Sequence, residues 1–158
     1  MNYIGISNGF HDAGISVISD SGNILFAGHS ERYSKQKHDK ELHISLVADA
    51  LRYIDDSNIE LHYYERPLFK ILRQIRAGES PAFKNLSDKS LLGTDVYEKL
   101  CKKKVTKHNH HLSHAAAGFQ SSPYEDATVV VIDAIGEFET ITIWDAMYDI
   151  NEIGRAHV

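Results

Sequence analysis

Two histidines four residues apart, His110 and His114, and an aspartate further along, Asp133, are the residues of this chain best fitted to chemistry. On a helix, residues four apart lie on one face about a turn apart, so His110 and His114 can aim two neutral imidazoles at one point while His111 is turned away. A carboxylate would complete such a set. Asp133 closes the run Val129-Val130-Val131-Ile132, and a side chain at the end of a buried strand emerges at the carboxyl edge of its sheet. Two histidines and a carboxylate suit Fe(II), Zn or Mn, and ligand type alone does not choose among them. The plainer alternative is a polar face on an alanine-rich helix, with Asp133 capping the turn that follows.

Three further clusters could bind charge. The loop segment Ser7-Asn8-Gly9-Phe10-His11-Asp12-Ala13-Gly14-Ile15-Ser16 carries two glycines, Gly9 and Gly14, that would let backbone approach a phosphate closely, with His11 and Asp12 beside it. The run Glu31-Arg32-Tyr33-Ser34-Lys35-Gln36-Lys37-His38-Asp39 offers cations, Lys37 among them, to an anionic ligand. The turn Asp133-Ala134-Ile135-Gly136-Glu137 fits a second phosphate- or metal-binding turn. Each has a bland counterpart: a hairpin loop, a solvated charge run and a tight hairpin, respectively.

The elements that must position these groups are short. Residues 3–7, 15–19 and 23–28 are β-rich apolar runs separated by the first of those loops and by Asp20-Ser21-Gly22, which predicts an antiparallel meander. Apolar residues at Ile44, Val47, Ala48, Leu51 and Ile54 predict an amphipathic helix over 44–54, followed by a strand over 59–64. Pro67 suits a first helical turn, and Leu68, Ile71, Leu72 and Ile75 share a face, which predicts a helix over 67–77. Residues 78–85 are polar and irregular, 89–101 read as another helix, and 105–107 as a brief strand. A helix is predicted from His110 or His111 through Phe119, ending before Ser121-Ser122-Pro123. Residues 127–133 form a continuous apolar run of the kind buried on both faces, and a strand over 140–145 follows a turn through Gly136. This order predicts an α/β fold: a ribonuclease H-like unit over 1–126 and the opening of a second over 127–151, the duplicated architecture of the actin-like ATPase superfamily.

The chain has 158 residues, 42% hydrophobic and 25% charged, enough for one respectable core. A net charge of -5 argues against a nucleic-acid surface, which needs clustered cations. No signal-peptide pattern or membrane-length apolar segment is present, and the single cysteine, Cys101, fits a reducing compartment, so a cytoplasmic protein without a membrane or nucleic-acid partner is expected. Of the ten histidines, most are expected to be ordinary.

Several collinear motifs resemble the N-terminal domain of the O-carbamoyltransferase family that decorates nodulation factors, cephamycins and aminoglycosides. They are Gly5-Ile6-Ser7 with His11-Asp12, Ser30-Glu31-Arg32-Tyr33-Ser34 with Lys37-His38-Asp39, and Tyr63-Tyr64-Glu65-Arg66-Pro67. The match continues through His110-His111-Leu112-Ser113-His114-Ala115-Ala116, Ser122-Pro123-Tyr124, and Asp133 with Gly136-Glu137. The resemblance implies an actin-like domain that passes a carbamoyl group from carbamoyl-adenylate, made from carbamoyl phosphate and ATP by a further domain, to the hydroxyl of a small-molecule acceptor. It implies an iron site whose ligands match His110, His114 and Asp133, with a further aspartate outside this chain. His11 is then the candidate to contact the carbamoyl group or acceptor and serve as base, and Lys37 the candidate to stabilise negative charge. Asp12, Gly136 and Glu137 are candidates on the nucleotide side, where Mg is a further candidate ion. Ala134-Ile135 stands where the family often has Gly followed by Val. Two other functional readings are a tRNA threonylcarbamoyl transferase-like metalloprotein and a non-catalytic metal- or nucleotide-binding remnant.

The last residues, Glu152-Ile153-Gly154-Arg155-Ala156-His157-Val158, are what GAG ATC GGA AGA GCA CAC GTC encodes, a string matching a common sequencing-library adapter. Residues 152–158 are therefore expected to be a read-through tail on a truncated domain, inactive by itself, and His157 is not counted as a ligand.

Overall fold

The computed structural model describes residues 1–54, 58–80, 86–149 and 152–157. They divide into two compact units, the first formed by residues 1–64 and 82–107, the second by residues 65–81 and 108–158.

The first unit is a mixed five-stranded sheet with helices. Strands β1 (Asn2–Ser7), β2 (Gly14–Ser19) and β3 (Ile24–His29) form the expected antiparallel meander, with Ile4 opposite Val17 and Ile6 opposite Ile15. β4 (Ile59–Tyr63) lies parallel to β1, and β5 (Val105–Lys107) parallel to β4, giving the order β3-β2-β1-β4-β5. The strands alternate, so Ile4, Ile6, Ile15, Val17, Leu61 and Val105 point into one core with Leu46, Val47 and Ala50 of helix α2 (Ile44–Ala50). Each of the valine, leucine and isoleucine side chains stabilises the unit by about 1.5–3 kcal/mol on burial. A four-residue helix, α1 (Glu31–Ser34), precedes α2.

In the second unit, helix α3 (Pro67–Arg76) begins with proline in the first turn, where a missing N–H is harmless. Helix α6 (His110–Gln120) packs on an antiparallel sheet of β6 (Asp126–Gly136), β7 (Glu139–Asp149) and β8 (Glu152–His157). Ala115 of α6, Val131 and Trp144 form its small core.

The structure departs from expectation at several elements. The helix expected over 89–101 is two, α4 (Asp88–Leu92) and α5 (Thr94–Lys99), because Gly93 takes φ +83°, outside any right-handed helix. The helix expected over 44–54 ends at Ala50 and tightens into a 3-10 turn, Leu51–Tyr53. On α3 only Ile71 of the expected face is buried, while Leu68, Leu72 and Ile75 are exposed. The run over 127–133 is buried on one side only, since Val130 is 55% and Ile132 76% exposed. Periodicity and apolarity identify a face but not what covers it.

Among the described residues no helix is long and apolar enough to cross a membrane. Residues 81–85 of the stretch read as irregular, and 150, 151 and 158, lie outside the described residues.

Candidate metal centre

Helix α6 starts cleanly because Asn109, with extended backbone, accepts the N–H of Leu112 on its Oδ1 at 2.8 Å. That bond satisfies one of the amides every helix leaves orphaned in its first turn. Asn109 also donates from Nδ2 to Glu139 Oε2 at 3.1 Å, which ties the helix start to β7.

With the first turn fixed, His110 and His114 share a face. His110 Nε2 lies 3.0 Å from Asp133 Oδ2 and 3.1 Å from His114 Nε2, and the three ligand atoms all fall within 4.8 Å of one another. Donors bound at about 2.0–2.2 Å to one ion stand roughly 3 to 3.5 Å apart, depending on the angle between them. The two separations from His110 Nε2 fall in that range, as for two pairs of ligands on one ion. Two ring nitrogens facing each other can share at most one proton, and a cation in that place satisfies both lone pairs and the carboxylate at once. Desolvation of the His114 ring, followed by the His110 charge beside it, holds the His114 pKa below its ordinary value, with Asp133 pulling it back. His114 is thus a neutral imidazole at neutral pH, the form that ligates metal.

Asp133 does not end its strand, as expected, but sits where the β6–β7 register slips between Ile132 and Gly136. Such an irregularity re-aims a side chain, and here the aspartate points toward α6. Its second oxygen, Oδ1, accepts the N–H of Ala134 at 2.7 Å, which fixes the carboxylate's orientation.

His111 is turned away, as the helical spacing implies. Its ring is fully buried, with Nδ1 2.8 Å from Thr142 Oγ1, which also accepts Trp144 Nε1–H at 2.7 Å. It is a core residue of α6 and β7.

Two neighbours had no assigned role in the sequence. Arg66 donates its backbone N–H to Glu137 Oε1 at 2.8 Å and its guanidinium to Oε2 from Nε at 2.9 Å and Nη2 at 2.5 Å. Glu137 is only 4% exposed and adopts φ +31° at the hairpin turn, so this forked pair holds a strained position. Arg66 also lies over the Phe69 ring, at 4.1 Å, and Phe69 meets Phe138 edge-on. Gly136 beside it is required by close approach: a Cβ there would stand 2.8 Å from His111 Cδ2 and closer still to His110 Cδ2. Glu65 forms the second surprise, with its carboxylate 3.8 Å from His110 Nδ1 and bonded to Lys70 Nζ at 2.9 and 3.2 Å.

His11, Asp12 and Lys37 belong to the first unit. Backbone bonds from Gly9 N–H to Lys40 O and from Ala13 N–H to Asp39 O clip the β1–β2 loop to the segment carrying Lys37. Asp12, at φ +50°, meets His11 Nδ1 at 2.9 Å and His38 Nδ1 at 3.0 Å. Those bonds, His38 first and His11 next, hold the Asp12 carboxyl below its ordinary pKa. Lys37 is exposed on its segment. His38 stands in the charge run and in the Lys37-His38-Asp39 motif without a role of its own there, and its spacing from Asp12 carries no periodic signal.

No family model matches the chain. Over 89% of its length it is 29% identical to the uncharacterized protein sll1178 of Synechocystis sp., of which it covers 26%. Over 87% of its length it is 26% identical to the nodulation protein NolNO of Sinorhizobium fredii, of which it covers 22%. A Ppx/GppA phosphatase structure from Aquifex aeolicus aligns over 99% of this chain and 52% of its own, at a TM-score of 0.37 and 11% identity. The chain thus spans about a quarter of the length of the curated relatives it matches, and is distantly similar in sequence to a nodulation protein.

Proposed function

We propose that this chain is the metal-binding, acceptor-side part of an O-carbamoyltransferase with an actin-like fold, which moves a carbamoyl group from carbamoyl-adenylate to an acceptor hydroxyl. The observation that carries this reading is the convergence of His110, His114 and Asp133 on one point, supported by the distant similarity to NolNO. Fe(II) is the expected ion, with Zn or Mn fitting the same donors. When bound, the ion supplies Lewis acidity toward phosphate oxygens.

The chain's own residues then have definable tasks. The acceptor oxygen forms a bond to the carbamoyl carbon, the bond from that carbon to the adenylate phosphate breaks, AMP leaves, and the hydroxyl proton must be taken up. His11 is the base in this reading. With Nδ1–H held by Asp12 Oδ2, its Nε2 carries the lone pair that accepts the proton. Lys37 neutralises negative charge on the leaving nucleotide. Asp12 thus acts by orienting His11, and Gly136 and Glu137 offer the backbone of the hairpin turn, the Glu137 carboxylate being engaged by Arg66.

Titration of the metal-free chain with AMP, with and without Fe(II) under anaerobic conditions, tests the reading. One equivalent of Fe(II) and tighter AMP binding in its presence are expected. AMP binding that ignores the metal would contradict it.

A further inference from the structure

We propose that Glu65 is the outer partner of the His110 ring at the metal centre, accepting Nδ1–H and so turning the Nε2 lone pair toward the ion. The inference rests on the metal-centre reading above. His110 Nε2 is the nitrogen that faces Asp133 and His114, at 3.0 and 3.1 Å. The opposite nitrogen, Nδ1, faces Glu65 Oε2 at 3.8 Å, a few tenths of an ångström beyond hydrogen-bond length, so the proposed bond closes by that amount when the ring takes up the ion. A metal-bound imidazole characteristically donates its other N–H to a carboxylate or carbonyl, which fixes the tautomer and makes the ligand more basic.

Glu65 is suited to that task. It is 6% exposed, and Lys70 Nζ bonds both of its oxygens, which fixes the carboxylate's orientation beside the His110 ring. Its position is fixed by the chain itself. Pro67 opens α3 and disfavours helical backbone at Arg66, which is extended at φ -103°, ψ 99°. Arg66 is in turn anchored to Glu137, next to the Gly136 backbone that packs against His110 Cδ2. The His110 ring is therefore held on one edge by Gly136 and faced on another by Glu65. Glu65 touches no ligand, so it is a positioning residue.

The experiment titrates the metal-free full chain with Co(II), followed by absorbance, and records long-range 1H–15N correlations of the histidine rings in the Zn(II)-loaded protein. Glu65→Gln is expected to weaken Co(II) binding by about 10–100-fold and to move the His110 Nδ1 proton upfield, with Glu65→Asp recovering part of both. A folded Glu65→Gln protein that binds within about twofold of the parent, with the His110 Nδ1 proton unmoved, overturns the proposal. Should Glu65→Gln fail to fold, Glu65→Asp, which keeps the charge on a shorter side chain, is expected by itself to move that proton upfield and to weaken Co(II) binding; no change in either overturns the proposal. If His110→Ala binds Co(II) as the parent does, or the parent binds none, the metal-centre reading itself falls and takes this one with it.

Discussion

The backbone of Gly136 lies so close to the imidazole of His110 that a single methyl group in its place would collide with ring carbon Cδ2. The glycine at the hairpin therefore sets where a candidate metal ligand can stand, in addition to serving the turn. Gly136→Ala is expected to push His110 out of line with Asp133 and His114. Co(II) affinity should fall about 10-fold or more, while thermal unfolding shows a loss of about 1–3 kcal/mol from overpacking. Unchanged affinity would mean that the ring has room the structure does not show.

The pair of Arg66 and Glu137 should behave as a buried ion pair with one half open to water. Removing one partner strands the other. Arg66→Met is expected to cost about 3 kcal/mol in urea unfolding, because it leaves the Glu137 carboxylate buried without its donors. The double variant with Glu137→Gln should recover part of that loss, and simple additivity of the two changes would contradict the coupling.

Acid sensitivity should appear at Asp88. Burial alone would raise its pKa, but the Lys107 ammonium and the Val105 N–H, at 3.0 Å, outweigh that and leave it lowered. A carboxyl whose folded pKa lies below the unfolded value of 3.8 contributes stability that is present above that value and lost as pH falls through the folded one. Asp88→Asn should therefore be less stable than the parent at neutral pH, with the gap closing as pH drops below about 3.8. Urea midpoints measured from pH 7 downward check this, and a gap that widens in acid would contradict it.

His111 separates a core role from a ligand role. His111→Phe is expected to lose about 1–3 kcal/mol of stability, through the orphaned Thr142–Trp144 network, yet to keep the metal. Thermal melting with and without one equivalent of Co(II) reads both effects.

Much of the fold is legible because it is local. The meander follows from alternation and from the Asp20-Ser21-Gly22 turn, and the choice of His110 and His114 over His111 follows from the pitch of a helix. What is not legible depends on partners distant in sequence. Arg66 and Glu137 are 71 positions apart, and nothing in either segment names the other. Glu65 stands in a recognisable motif, but only the packing of the chain sets it against His110. The exposed sides of α3 and β6 read as core because apolarity reports a tendency to be covered, which the described residues satisfy on one side only.

The most direct test of the proposed metal centre is anaerobic Fe(II) binding by equilibrium dialysis, comparing the parent chain with single alanine variants at His110, His114 and Asp133 and with His111→Phe. One equivalent bound by the parent and by His111→Phe, and a sharp loss in each of the other three, is the expected result. Binding that survives in His110→Ala, or that falls equally in a folded His111→Phe, would contradict a centre built from His110, His114 and Asp133.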